Sequence, residues 1–145
     1  MSLEGEPYDR APIIEESGDV VGWFGAELCW NLDELEAAVR KTVLFCEYCE
    51  FLKGFDMNSH LPASVLHWIE IEAKKRRTGQ GTKALRLYLT NAKRRGAKLA
   101  LLKAAYDSGE DWKEERRWKW HFYESVGFIG FTDDDDRSPL MYRLL

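Results

Sequence analysis

A glycine-containing turn between a strand-like run and a helix-like run constrains the fold more than any other feature of the sequence. Residues 65–71 form an apolar, strand-like run, and the turn 76–82 comes shortly after it. An amphipathic helix is predicted over 83–95, and a second buried strand over 98–105. Two strands that are separated by a helix of this length pair in parallel with a right-handed crossover. The sequence therefore predicts an α/β core here.

The composition of this turn is that of a phosphate-binding site. Gly79 and Gly81 can adopt backbone angles that other residues avoid, and they let a ligand approach the main chain closely. The first amides of a helix have no intrahelical partner, and the helix dipole favours an anion beside them. Arg76, Arg77 and Lys83 add positive charge. We expect the turn to bind the pyrophosphate of a cofactor.

The other periodic segments complete one mixed α/β domain over residues 1–145. Residues 1–11 carry no periodic signal, so we expect a loose lead-in there. The remaining predicted elements are a β-hairpin of strands 12–16 and 20–24, a helix over 33–52, a loop over 55–62, a helix over 112–126 that ends at Gly127, and two closing strands at 128–131 and 140–144.

Composition and charge limit the class of protein. An apolar content of 45% over 145 residues fits a globular domain with a sizeable core. The formal net charge of −4 argues against nucleic acid as a partner and is weak support for cationic substrates. No apolar run approaches the roughly 20 residues that a membrane-spanning helix needs. Because residues 1–10 are also polar and acidic, we expect a cytoplasmic protein without a membrane partner.

The cysteines predict no metal or disulfide site. Cys29, Cys46 and Cys49 are an odd number in a chain without a visible export signal, so free thiols are expected. Cys46 and Cys49 have the spacing of a redox or half-zinc motif. No second pair accompanies them, and they lie in a helical pattern, which favours buried cysteines on a helix face.

Two segments together resemble the GNAT superfamily of acyl-CoA-dependent N-acetyltransferases. Residues 76–81 fit the family's R/Q-x-x-G-x-G/A cofactor signature, and residues 122–128, about 45 positions on, resemble its F-Y-E-x-x-G-F segment. The resemblance covers 65–145 and identifies that part as the cofactor-binding core. A P-loop and a dinucleotide fingerprint fit less well, because the sequence lacks G-x-x-x-x-G-K-[ST] and a third glycine.

The resemblance implies a central mixed sheet with flanking helices, in which the two parallel strands splay apart around the arm of acetyl-CoA. It implies transfer of an acetyl group to a primary amine by direct attack through a tetrahedral intermediate. A main-chain N–H near Ile71 would stabilise the thioester oxygen. The implied cofactor-binding residues are Ile71, Glu72, Ala73, Arg76, Arg77, Thr78, Gly79, Gln80, Gly81 and Thr82.

The resemblance makes Tyr123 the acid that protonates the departing CoA thiolate, and it leaves the base open. His67 shares a face with Val65 and Ile69 if the strand is regular, and its unperturbed pKa near 6.5 suits a base. Glu70 points to the opposite face in a regular strand, but a β-bulge would re-aim it. A water chain without a dedicated base is a third alternative.

The acceptor is not readable by this resemblance. Arg116 stands where family members often have an asparagine, and the helix over 33–52 replaces the elements that usually form the acceptor pocket. The acidic run 133–136 is either a hairpin tip or a feature that attracts a cationic acceptor, such as a small amine or a protein lysine. The alternative function is a non-catalytic, CoA-binding interaction module, and a homodimer is left open.

Overall fold

The protein is a mixed α/β structure built on one six-stranded sheet. The computed structural model describes residues 9–14, 17–40, 49, 51–71, 80–103, 121–130 and 140–145. The strands are β1 Asp9–Ile14, β2 Val20–Cys29, β3 Ala63–Ile71, β4 Leu99–Lys103, β5 Ile129–Gly130 and β6 Leu140–Leu144. The helices are α1 Leu32–Arg40 and α2 Gln80–Arg94, with further helical residues at 51–53 and 121–125 and a 3₁₀ turn at Met57–His60.

The sheet order is β1-β2-β3-β4-β6-β5, and only the central β3–β4 pair is parallel among the described strands. This confirms the predicted β–α–β unit, with α2 as its crossover. The predicted hairpin is also confirmed, because β1 pairs antiparallel with β2. The prediction of a loose lead-in is wrong for residues 9–11, which belong to β1 and pair with β2.

Two hydrophobic clusters cover the two faces of the sheet. One contains the apolar stripe of α2 (Ala84, Leu85, Tyr88, Leu89 and Ala92) together with Leu66, Ala100 and Leu102. The other contains Leu35, Ala38 and Val39 of α1 together with Val65, Leu99 and Leu101. Side chains alternate between faces along a strand, so the run of buried residues in β4 feeds both clusters.

Asn31 caps the N-terminus of α1. The Asn31 side chain accepts a hydrogen bond of 2.9 Å from the Glu34 N–H, as an N-cap does. The Glu34 carboxylate in turn accepts one of 2.8 Å from the Trp30 N–H. Of the predicted helix over 33–52, residues 41–48 and 50 lie outside the described residues, and residues 51–53 are helical up to Gly54, as expected.

The ladder between the parallel strands β3 and β4 ends about half-way along β3. Pairing of β3 with β4 runs from Ala63↔Leu99 to Leu66↔Leu102. Beyond that point β3 continues beside β2 as far as Ile71, whereas Lys103 of β4 pairs with Leu140 of β6. Within the described residues, which end at Ile71 in β3 and at Lys103 in β4, the ladder between the two parallel strands thus ends at Leu66↔Leu102, in agreement with the predicted splay.

A β-bulge marks the same position. Gly25 pairs with Trp68 and Ala26 with Leu66, so His67 is the extra residue on β3. The bulge reverses the alternation, because Val65 belongs to the α1-side cluster and Ile69 packs against the α2-side cluster. The prediction that Val65 and Ile69 share one face is therefore wrong, since it assumed a regular strand.

Two of the glycines that end helices, Gly127 and Gly96, have positive φ. Gly127 has a φ of +95° and donates to the Glu124 carbonyl at 2.9 Å, while Phe128 donates to the Tyr123 carbonyl at 3.1 Å. These bonds form a Schellman motif. The Phe128 ring meets the Tyr123 ring edge-on at 6.0 Å, so part of the F-Y-E-x-x-G-F pattern is the signature of a helix end. Gly96, with a φ of +99°, ends α2 in the same way.

A buried hydroxyl pair fixes α2 against β3. The Ser64 and Tyr88 hydroxyl oxygens lie 2.6 Å apart, both side chains are buried, and burial raises the pKa of Tyr88. The Tyr88 ring also meets the Phe24 ring edge-on at 5.2 Å. Since one hydroxyl donates to the other inside the core, the pair holds the helix at one position along the strand.

We predict that Gly127→Ala destabilises the protein by about 1–2 kcal/mol, because φ is left-handed and the new Cβ would lie 3.1 Å from Arg143 Nε. Gly96→Ala, where the space is open, should cost less, and Gly54→Ala, which has neither constraint, should cost about 0.5 kcal/mol or less. Urea unfolding measures all three. Equal losses at Gly127 and Gly54 would contradict the assignment.

Removal of either member of the buried hydroxyl pair should leave the other unsatisfied. Ser64→Ala and Tyr88→Phe are each expected to cost about 1–3 kcal/mol in the free energy of unfolding. The double variant should lose less than the sum of the two single losses, by about 0.5 kcal/mol or more. Chemical denaturation of the four proteins tests this, and strictly additive losses would show that the two hydroxyls are not coupled.

Candidate active site

The two segments that carry the family resemblance meet in space. α2 begins at Gln80, three residues before the predicted Lys83, so Gln80, Gly81 and Thr82 lie in its first turn rather than in the preceding loop. A Cβ placed on Gly81 would lie 3.5 Å from the Phe122 ring. The start of α2 therefore lies directly beside the F-Y-E segment, although about 40 residues separate the two in sequence.

The predicted cofactor-binding residues divide into a described and an undescribed group. Ile71 is the last residue of β3, and Gln80 to Thr82 open α2. Glu72, Ala73, Arg76, Arg77, Thr78 and Gly79 lie outside the described residues, as do Arg116 and the acidic run 133–136. The described part thus contains the C-terminal end of the predicted phosphate turn and the strand that precedes the turn.

The start of α2 suits an anion. Its first turn contains no acidic residue, so nothing on the helix itself repels a phosphate there. Lys83 is exposed one position after that opening. Gly81 presents no side chain, so the Phe122 ring packs close to the main chain at the start of α2.

Tyr123 lies in an apolar setting on the α2 side of the sheet. It packs against the α2-side cluster, and its ring lies 5.2 Å from Phe122 and 6.0 Å from Phe128. Burial raises the pKa of Tyr123 to about 12. The phenol therefore keeps its proton throughout the neutral range, as a proton donor must.

His67 lies on the other side of the sheet, where it meets a carboxylate that the sequence did not indicate. Its Nε2 atom is 3.0 Å from Glu27 Oε2, and 5% of its side chain is exposed. Glu27 stands between Ala26 and Leu28, which face the α2-side cluster, so it points to the α1 side. The one feature that could have indicated Glu27 is a charged residue between the apolar Ala26 and Leu28, beyond the end of the predicted hairpin strand.

Glu70 shares the face of Glu27. Ile69 and its partner Phe24 face the α2-side cluster, so the next pair, Glu70 and Trp23, faces the α1 side. The bulge thus places Glu70 on the same face as His67, which a regular strand would not allow. The Glu70 side chain is exposed. His67, Glu27 and Glu70 lie on one face, and Tyr123 lies on the other.

The described residues contain no metal-binding cluster, disulfide or membrane-spanning helix. Within the described ranges, no three His, Cys, Asp or Glu side chains are grouped so as to hold a metal ion. Cys29 and Cys49 are free thiols, and Cys46 falls outside those ranges. None of the helical segments described is both long enough and apolar enough to cross a bilayer.

Comparisons of the sequence find no match, whereas comparisons of the structure find solved proteins with a similar fold. No protein-family model matches the chain, and no curated protein matches it. An acetyltransferase of the GNAT family from Staphylococcus aureus Mu50 superposes with a TM-score of 0.52 at 14% identity, covering 96% of this chain and 69% of that one.

Two further solved structures have the same fold. Arylalkylamine N-acetyltransferase 2 from Aedes aegypti gives a TM-score of 0.55 at 12% identity, over 93% of this chain and 72% of that one. The ribosomal-protein-S18-alanine N-acetyltransferase from Escherichia coli gives 0.52 at 15% identity, over 97% and 71%. At such low identities the likeness concerns the backbone. The chain has the fold of the GNAT acetyltransferases.

Proposed function

We propose that the protein is an acetyl-CoA-dependent N-acetyltransferase that acts on a primary amine. The observation that carries the proposal is the end of the β3–β4 ladder at Leu66↔Leu102, on the strand that precedes α2 in the chain. A gap between parallel strands next to a helix N-terminus offers main-chain groups to an extended amide-containing arm and dipole stabilisation to a pyrophosphate. Acetyl-CoA has both parts in one molecule.

The residues present fit this acyl donor. The opening turn of α2 is free of acidic residues, and Gly81 adds no side chain to that turn, where the Phe122 ring lies close to the main chain. In the proposal, the N–H groups of Gln80 to Thr82 receive the pyrophosphate with the undescribed turn before them. The arm follows β3 towards Ile71, whose main-chain N–H stabilises the thioester oxygen.

The two faces of the sheet supply the two proton movements. An ammonium group must lose a proton before its nitrogen can attack, and the departing thiolate must gain one. Tyr123 on the α2 side is the proposed acid, because burial raises its pKa to about 12 and so keeps the phenol protonated. His67 and Glu70 on the α1 side are the candidate bases, so the amine would approach from that side.

The acceptor is proposed to be a small or protein-borne amine. The structural neighbours include enzymes named for arylalkylamines and for the alanine of a ribosomal protein, so the fold serves acceptors of both sizes. Glu27 and Glu70 on the base-bearing face favour a cationic acceptor. Cytoplasmic location also remains part of the proposal.

The first test is titration of the purified protein with acetyl-CoA, followed by a thiol-release assay with a panel of primary amines. We expect saturable binding of acetyl-CoA and CoA release with at least one amine. Tight binding without release from any amine would favour a non-catalytic CoA-binding module. Failure to bind acetyl-CoA would contradict both functions.

Gly81→Glu is expected to abolish binding of acetyl-CoA. The side chain would extend towards Phe122 and add negative charge where the pyrophosphate belongs, while a glutamate in the first turn suits the helix itself. Isothermal titration should show a loss of about 100-fold or more in affinity. Gly81→Ala is the control, because its Cβ makes only ordinary contact at 3.5 Å. If the wild type and Gly81→Glu bound acetyl-CoA with equal affinity, the start of α2 would not be the pyrophosphate site.

Tyr123→Phe should lower kcat by about 100-fold or more and leave the affinity for acetyl-CoA nearly unchanged, because it removes only the transferable proton. Tyr142→Phe, on the other face beside Phe51, is the control. Steady-state kinetics and direct binding measure the two effects. An unchanged kcat would exclude Tyr123 from the mechanism.

The raised pKa of Tyr123 predicts how the free energy of unfolding depends on pH. The phenol is protonated in both folded and unfolded chains below pH 10, so its contribution to stability is fully present there. That contribution is lost as the pH rises from about 10 to about 12. We expect the wild type to lose more unfolding free energy than Tyr123→Phe over this interval. Equal losses would show that Tyr123 is not buried in this way.

A further inference from the structure

His67 and Glu27, which are 40 residues apart in the chain, form a close pair on the α1 side of the sheet. The Nε2–Oε2 distance is 3.0 Å, and the exposed fractions of the two side chains are 5% for His67 and 20% for Glu27. These fractions show that Glu27 is the more exposed of the two side chains. A molecule that approaches from solvent therefore meets Glu27 first, and the His67 ring lies behind it.

We propose that Glu27 is the carboxylate that binds the ammonium group of the acceptor, with His67 as the positioning residue that holds it from the buried side. The inference rests on the N-acetyltransferase function proposed above and gives that site its acceptor class, a primary alkylammonium ion. A carboxylate accepts short, charge-assisted hydrogen bonds from an ammonium group, whereas a ring with 5% exposure offers little surface for one.

The position of the pair on the sheet supports this role. His67 is the bulged residue of β3, and it directly follows the last residue that pairs with β4. The pair therefore lies where the gap between the parallel strands opens. An ammonium group at Glu27 would be close to the point where the acyl donor is proposed to enter the sheet.

The neighbouring side chains on this face also suit a cation. Trp68 pairs with Gly25, and Trp23 pairs with Glu70, so both indole rings and the second carboxylate belong to the same face as Glu27. Both tryptophans are half-buried. Aromatic faces attract ammonium groups, and carboxylates pair with them. Apolar surface beside the charge favours an alkyl chain over a small hydrophilic cation.

The proton balance of the step is complete with these residues. One N–H bond of the ammonium ion bound at Glu27 breaks, and its proton passes to Glu70, the exposed candidate base on the same face. The freed lone pair forms the C–N bond, and the C–S bond of the thioester breaks. Tyr123 gives its proton to the thiolate and regains one from the amine nitrogen. The proton on Glu70 then leaves to solvent, so each turnover releases one proton.

The binding step can be tested without acetyl-CoA. Protein labelled with ¹⁵N in its three histidines is titrated with n-butylamine and, as the uncharged analogue, with n-butanol. The ring signals of His67 should shift saturably with butylamine and not with butanol, while those of His60 and His121 stay unchanged. The shift should disappear in Glu27→Gln, which keeps the size of the side chain and a hydrogen bond to the ring.

Kinetics then test the role in turnover. Glu27→Gln should raise KM for butylamine about tenfold or more, the effect of losing one charge-assisted hydrogen bond, without raising KM for acetyl-CoA. Glu36→Gln, on the exposed side of α1 and paired with Arg40, is the matched control and should leave both constants unchanged.

Two results would overturn the assignment: a His67 shift that persists in Glu27→Gln, or a raised KM in Glu70→Gln but not in Glu27→Gln. Should Glu27→Gln fail to fold, the contrast between butylamine and butanol in the wild type decides, and no difference between them rejects the proposal. A specific His67 shift without any turnover would uphold ammonium binding at Glu27 and reject the N-acetyltransferase function.

Discussion

The parting of β3 from β4 is the constraint on which the rest of this structure depends. Parallel strands normally continue their ladder, because an unpaired main-chain group inside a protein is costly. Here the ladder between β3 and β4 ends at Leu66↔Leu102, while β3 stays paired with β2 as far as Ile71 and β4 stays paired with β6 as far as Lys103. The bulge at His67 lies at that junction and increases the local twist. The strand arrangement thus opens the sheet without breaking it.

Packing on both sides holds the gap open. The Ser64–Tyr88 hydroxyl pair fixes α2 on β3 just before the parting, and α1 covers the opposite face through Leu35 and Val39. The helix end at Gly127 places Phe122 beside Gly81 and Tyr123 within the α2-side cluster. Tyr123, the proposed acid, consequently lies on the opposite face of the sheet from Glu27 and Glu70. A single extended molecule between the strands would contact both.

The sequence predicted the local elements well, because strands, helix ends and the glycine turn each leave a pattern among neighbouring residues. The β3-α2-β4 unit and the end at Gly127 are confirmed. The sequence raised a β-bulge only as an alternative that would re-aim Glu70, and it could not place the bulge, since whether His67 is paired or extra depends on its register with Gly25 and Ala26 of another strand. Glu27 was missed for the same reason, because its partner is 40 residues away. Roles for Glu72 to Gly79 remain predictions.

The most direct test of the central claim is a crystal structure of the protein with CoA bound. The arm of CoA should lie between β3 and β4 beyond Leu66 and Leu102, with the pyrophosphate at the first turn of α2. The sulfur should lie between Tyr123 on one face and the Glu27–His67 pair on the other. An ordered CoA molecule bound elsewhere, or a continuous β3–β4 ladder that leaves no gap, would contradict the account.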